Sequence, residues 1–247
     1  MVSPLPLGEG PGVRAFGIIV FSVRLNILPR REINWTGGGE MMDNLEEIAQ
    51  LVHRCTDCAL HASRTIAVPG DGAGDAEIMF IGEGPGYQED RQGKPFVGPA
   101  GKFLDELLAS IGLKREQVFI TNMVKCRPPQ NRDPQPSEML ACSKYLNRQI
   151  ELINPKLIVT LGRFSLGKFF PGESISRARG KAREKEGRFI YPIMHPAAGL
   201  HRHELRAAIE EDFRAIPGVL EKARQSSAPA AEPDQEDTPP PGQLTLF

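Results

Sequence analysis

Short runs of consecutive apolar residues alternate, between residues 43 and 216, with longer stretches in which apolar positions recur every three or four residues. The apolar runs predict strands at Glu77 to Ile81, Val118 to Thr121, Leu157 to Leu161 and Phe189 to Met194. The periodic stretches predict helices. The first begins at Asp43, with Glu46 three residues on as its capping partner, and carries Leu45, Ile48, Ala49 and Val52 on one face. Others cover Ala100 to Ile111, Ser137 to Ile153 with Ser137 as its cap, Arg163 to Phe169, and Glu204 to Ile216. Strands that are apolar throughout and alternate with amphipathic helices predict an α/β fold, a parallel sheet covered on both faces.

The pattern fails at both ends. Residues 1–40 mix Pro, Gly and Arg with one apolar patch and hold no sustained period. They also hold a decoy: Gly8-Glu9-Gly10-Pro11-Gly12 repeats a pentapeptide found after the first strand, but no strand precedes it. A helix start directly after Met41 and Met42 makes one of these the expected natural start, with residues 1–40 an appendage. Beyond Arg224, residues 225–247 are rich in Pro, Ala and acidic side chains, and disorder is expected. The domain therefore spans residues 41–224.

Hydrophobic and charged fractions of 40% and 25% are those of an ordinary soluble protein. No stretch reaches the length of a membrane span, and the apolar Phe16 to Val23 is followed by no small-x-small cleavage site. A cytoplasmic protein is expected. The net charge of -1 hides an asymmetry, because the tail carries Glu232, Asp234, Glu236 and Asp237 with no base after Arg224. Six basic residues fall between Arg177 and Arg188, among them Arg179 and Lys181, as either a solvated loop or a phosphate-contacting patch.

Candidate chemistry gathers where strands end. The first strand runs into Gly82-Glu83-Gly84-Pro85-Gly86, with Glu89 and Asp90 close behind. In an open parallel sheet the carboxyl ends of the strands are where ligands bind, and glycines there let backbone approach a substrate. Asn122 closes the second strand and His195 the fourth. Phe96 lies in a Pro- and Gly-flanked loop that fits either the core or a ligand-facing position. An aromatic ring, an amide with both donor and acceptor, and an imidazole together suit a nucleobase. Cys55 and Cys58 form a C-x2-C pair, while Cys126 follows the second strand and Cys142 lies in the next helix. Four thiolates on one edge suit zinc or an iron-sulfur cluster; spacing does not choose between them.

The GEGPG turn with its Glu-Asp, GKPFVGPAGKFLDELL, TNMVKCRPP, HPAA and the cysteine spacing together resemble the family 4 uracil-DNA glycosylases, the iron-sulfur branch of that superfamily. The likeness runs from about Asp43 to Ile216. It implies a three-layer α/β/α sandwich around a four-stranded parallel sheet, and a 4Fe-4S cluster on Cys55, Cys58, Cys126 and Cys142, zinc being the lesser alternative. It also implies hydrolysis of the N-glycosidic bond of deoxyuridine in DNA by a monomer. On this reading Gly82, Gly84, Pro85 and Gly86 line the substrate, Phe96 stacks on the flipped uracil, Asn122 reads its edge and His195 donates to O2. Related branches carry an Asp where Gly84 stands, so the water falls to Glu83 or Glu89. Leu200, past the His motif, is the candidate wedge, beside Arg177, Arg179 and Lys181. The terminal Gln243, Leu244, Thr245, Leu246 and Phe247 resemble the bacterial β sliding clamp-binding pentapeptide on a flexible tether. The alternative is a non-catalytic module that binds uracil or DNA, with a structural or redox-sensing cluster.

Overall fold

The computed structural model of the protein describes residues 42–200 and 202–226. The N-terminal extension and the pentapeptide at the end of the tail lie outside the described residues. Six strands form one sheet: β1 (Asp71–Gly72), β2 (Ile78–Gly82), β3 (Phe119–Asn122), β4 (Leu157–Leu161), β5 (Arg183–Lys185) and β6 (Arg188–Ile193), in the order β1-β3-β2-β4-β6-β5. The four inner strands are parallel, as expected. The two outer strands are additions that run antiparallel to their neighbours. Two residues are too few for β1 to show a period, and β5 is wholly charged, so neither carries an apolar signature.

Every residue of β2 and β4 is buried, which is what coverage on both faces requires. The side chains alternate between two cores. Ile78 and Phe80 of β2, with Val159 of β4 and Tyr191 of β6, pack on Leu104 and Leu107 of α3 (Pro99–Ser110) and on Ile209 and Phe213 of α8 (His203–Ser226). Phe80 and Phe213 stack with ring centroids 5.8 Å apart. On the opposite face Met79, Ile81, Ile158 and Ile190 pack on Leu146 and Ile150 of α4 (Pro136–Ile153). A third cluster joins α1 (Leu45–Arg54) to α4 through Ile48, Val52, Leu60 and Tyr145, with Cys126 and Cys142 inside it.

Helix ends differ from the sequence reading by a residue or two, for reasons of capping. Asn44 caps α1 by accepting the Glu47 N–H at 2.9 Å, one position after the expected Asp43. Pro136 opens α4, its missing N–H costing nothing there, so Ser137 lies inside the helix. Glu138 instead reaches back to the Gln135 N–H at 2.8 Å. Short helices unseen in the sequence follow the glycine turns: α2 (Tyr87–Gln92), α6 (Ile175–Ala178) and α7 (Pro196–Gly199), beside α5 (Arg163–Phe169), which matches its expected limits. Helix α8 continues through Pro217 to Ser226. Among the described residues no helix is long and apolar enough to cross a membrane.

The expected basic patch is largely an internal device. Arg179 donates through Nε and Nη2 to both oxygens of buried Asp212 at 2.9 Å, and its Nη2 also reaches the Ala208 carbonyl at 2.6 Å, which fastens the segment after α6 to α8. Arg183 pairs with Glu173 and lies over the Phe170 ring at 3.6 Å, while Lys185 donates to the Phe169 carbonyl. Arg179 is therefore unavailable to a phosphate. Arg177 and Lys181 are exposed and have no side-chain partner among the described residues. Replacing Arg179 by Ala strands the Asp212 carboxylate. It is expected to cost about 2 kcal/mol in urea unfolding while leaving DNA affinity within error of the parent protein.

Candidate active site

The parallel register sets Gly82 of β2 directly beside Asn122 of β3. A Cβ at Gly82 would stand 2.7 Å from Cζ of Phe96 and closer still to Oδ1 of Asn122. Glycine is thus the only residue that lets the amide and the ring meet at this strand end. Phe96 in turn stacks on His195, with ring centroids 5.5 Å apart and planes 28° apart. His195 follows β6 and lies against Gly162, where a Cβ would be 3.2 Å from Cβ of His195. The three side chains singled out in the sequence therefore meet at one rim, and Phe96, at 5% exposure, is packed as well as ligand-facing.

Phe96 is held in an unusual backbone conformation, with φ of 53°. That region is disfavoured for a bulky side chain and persists only where neighbours impose it. Here they do. Oε1 of Glu89 accepts the N–H groups of Val97 at 2.9 Å and Gly98 at 2.8 Å, while Oε2 accepts that of Gly86 at 3.1 Å. From the other side Arg115 donates to the carbonyls of Pro95 and Phe96, the second at 3.1 Å, and pairs with Asp105 at 3.0 Å. Gly101 of α3 makes room, because a Cβ there would collide with the Phe96 carbonyl.

This arrangement separates the two candidate carboxylates. Both oxygens of Glu89 are spent on backbone N–H groups, so Glu89 holds the site's shape. Glu83 is half-buried, and its carboxylate has no hydrogen-bond partner among the described residues. Burial, and then the nearby Asp133 carboxylate, raise its pKa, against the pull of Arg163. Gly84 and Gly86 allow equally close approaches: a Cβ at Gly84 would meet Val124, and one at Gly86 would meet Oε2 of Glu89, each at 2.8 Å. Pro85 is buried between them.

The proton on His195 can be placed. Its Nδ1 accepts the Ala197 N–H at 3.2 Å, so in the neutral ring the hydrogen resides on Nε2. Burial pushes the pKa down to about 4, with Glu89 opposing the shift. At neutral pH the ring is an uncharged Nε2–H donor. The amide oxygen of Asn122 is the other open group. Oδ1 is buried and has no hydrogen-bond partner among the described residues, which is costly unless a ligand supplies a donor.

The four cysteines lie elsewhere, around one cavity that is also lined by Tyr145, Arg64 and Lys125. Cys126 receives a hydrogen bond from Nη1 of Arg64 at 3.1 Å, and Cys142 one from the Lys125 N–H at 3.3 Å. Burial raises the thiol pKa of Cys58 and Cys126, and takes that of Cys142 to about 11. Among the described residues no three His, Cys, Asp or Glu side chains converge on a point where one ion would sit, as zinc with sulfurs about 2.3 Å away requires. The four sulfurs line one cavity, and N–H donors are aimed at two of them, a donor set that suits a thiolate-ligated metal centre.

A parallel α/β sheet whose strand ends join a buried amide, an aromatic ring and a neutral imidazole defines a nucleobase-recognising protein. The sequence model of the Uracil DNA glycosylase superfamily matches residues 69–215. The chain is 53% identical over 186 residues to the Type-4 uracil-DNA glycosylase of Sulfurisphaera tokodaii, covering 71% of this chain and 84% of that protein. It is 50% identical over 184 residues to that of Archaeoglobus fulgidus, covering 71% and 92%. With that of Thermotoga maritima it shares 44% over 183 residues, covering 72% and 95%. The chain belongs to the type-4 uracil-DNA glycosylases.

Of the groups that shape this site, Glu89's clamping role, Arg115 and Gly101 were missed in the sequence. Only Gly101 left a trace there, as a glycine inside a helix. Nitrogen NMR is expected to show His195 as the neutral Nε2–H tautomer at about pH 7. Because the folded pKa near 4 lies below the ordinary 6.5, the unfolded chain takes up a proton that the folded protein refuses. Stability should therefore fall as pH drops from 6.5 towards 4, and His195→Gln should remove that part of the slope.

Proposed function

We infer that the chain is a DNA-repair glycosylase that hydrolyses the N-glycosidic bond of uracil in DNA and leaves an abasic site. The observation that carries this reading is the buried Asn122 Oδ1, which has no partner among the described residues, beside Phe96 and within one ring's reach of a neutral His195. Uracil stacked in a duplex is out of reach, so the nucleotide must leave the stack, at about a few kcal/mol. Phe96 offers the flipped base a stacking face. Asn122 Oδ1 accepts from uracil N3–H while the amide NH2 donates to O4. Cytosine presents the reverse pattern there and leaves both groups mismatched.

Bond cleavage leaves a cationic sugar and an anionic base. The Nε2–H of His195, donating to O2, stabilises the negative charge as it forms, and needs no proton transfer to do so. Of the two carboxylates, Glu83 is the one open to position water or offset the sugar cation. We assign to Leu200, 38% exposed just past α7, the role of entering the gap left by the base, and to the exposed Arg177 and Lys181 that of contacting phosphates. We assign a 4Fe-4S cluster to Cys55, Cys58, Cys126 and Cys142; it would fasten α1 to the rest of the domain. The tail residues Gln243, Leu244, Leu246 and Phe247 are proposed to bind a bacterial sliding clamp.

Purified protein is expected to convert a uracil-containing oligonucleotide to the abasic product and to show a broad absorption band near about 400 nm. His195→Ala should keep the band and lose about 100- to 1,000-fold in single-turnover rate. Binding without base release in the parent protein would make this a uracil-binding module instead. Deleting Gln243 to Phe247 should abolish clamp capture in a pull-down and leave cleavage of short oligonucleotides unchanged. Undiminished capture would remove the tail from this role.

A further inference from the structure

Lys125 is a lysine with no solvent and, among the described residues, no carboxylate at its amino group. It is 1% exposed, and its Nζ donates to three neutral oxygens: Thr121 Oγ1 at 2.5 Å, the Asn122 carbonyl at 3.0 Å and Gln149 Oε1 at 2.7 Å. Three donors meet three acceptors, so the group is satisfied. Burying an amine with no carboxylate beside it is nevertheless expensive, and an apolar side chain would fill the space at lower cost. That expense needs a return beyond packing.

Its surroundings indicate what the return is. The acceptors are themselves fixed: Thr121 Oγ1 donates to the Pro69 carbonyl at 3.0 Å, and Gln149 Nε2 donates to the same oxygen at 2.7 Å. The backbone of Lys125 is fixed separately. Its N–H donates to Cys142 Sγ at 3.3 Å, and its carbonyl accepts the Val68 N–H at 2.7 Å. Cys126 is the next residue. Thus the five residues from Asn122 to Cys126 run from the amide that reads the base to the wall of the cysteine cavity, and the Lys125 side chain folds back along them to grip Asn122.

Asn122 needs such a grip. Among the described residues its side-chain amide makes no hydrogen bond, so where the amide stands is set by its own backbone and packing. The backbone carbonyl of Asn122 is the handle through which that residue can be held from behind, since its front faces the substrate.

We propose that Lys125 is a positioning residue for Asn122, anchored at the cysteine cavity, so that the geometry of base recognition is set from the cysteine side of the domain. This rests on Asn122 being the residue that reads uracil. Lys125 touches no substrate; it acts through Asn122 alone, and this distinguishes it from a residue that merely stabilises the fold.

The test is a double-mutant cycle on the protein as purified with its absorption band, with Lys125→Met and Asn122→Ala made singly and together. Single-turnover uracil release and the Kd for a uracil-containing oligonucleotide are measured beside the absorption band and the melting temperature. Lys125→Met is expected to lower the rate about 100-fold, as misplacement of a reacting partner by about an ångström does, with the band retained. In the Asn122→Ala background the same change should cost less than about twofold, because the residue it serves is gone. Losses that multiply in full, or a Lys125→Met protein with the parent rate, would overturn the proposal. If Lys125→Met does not fold, Thr121→Val removes one of the three acceptors at nearly constant volume and should show the same non-additivity. A parent protein that binds uracil DNA but releases no base would sink the glycosylase reading and leave the coupling to be read from Kd.

Discussion

The missing side chain at Gly82 is the constraint on which the site depends. Strand pairing puts this residue beside Asn122, and any Cβ would occupy the space now shared by the amide oxygen and the Phe96 ring. Once that space is open, the remaining parts have few choices. Phe96 can enter only from the loop before α3, which the Glu89 carboxylate and the Arg115 guanidinium grip from opposite sides. His195 can reach the ring only because Gly162 leaves room behind it. One absence at a strand end thus fixes the approach of three side chains from three separate loops.

The same strand end serves a second centre. Leaving β3, the chain passes from Asn122 to Cys126 in a short bent stretch that also pairs with the turn after β2, through the Val124 N–H and the Glu83 carbonyl. Glu83, the Asn122 amide and the cysteine cavity are therefore mechanically adjacent. The buried Lys125 network lies at that junction. Helix α1 is held against α4 by Ile48, Leu51 and Val52, and Cys55 and Cys58 beyond it line the same cavity as Cys126 and Cys142.

The sheet was legible in the sequence because parallel strands buried on both faces must be largely apolar, and β2, β3, β4 and β6 each carry such a run. Asn122 and His195 were legible because each polar residue breaks such a run at its carboxyl end. What escaped was what only the tertiary structure decides. Arg179 and Lys181 look alike in sequence, but Arg179 spends its charge on Asp212, thirty-three positions away. Glu83 and Glu89 are equivalent carboxylates on paper, and only the folding back of Val97 and Gly98 turns one of them into a clamp. Helix α2 has one buried residue, Asp90, so no apolar period marks it. Pro136 displaced Ser137 as the start of α4 because a proline at the first helical position is as good a signal as a cap, and the two were in competition.

The left-handed backbone at Phe96 has a further consequence. Among natural residues glycine suits that conformation best. Phe96 is also part of the core, however, so Phe96→Gly would relieve about 1–2 kcal/mol of backbone strain and open a cavity that costs about 3–5 kcal/mol. The ring's own packing is thus what keeps its backbone strained. A search that selected this protein only for resistance to heat would be expected to leave position 96 alone.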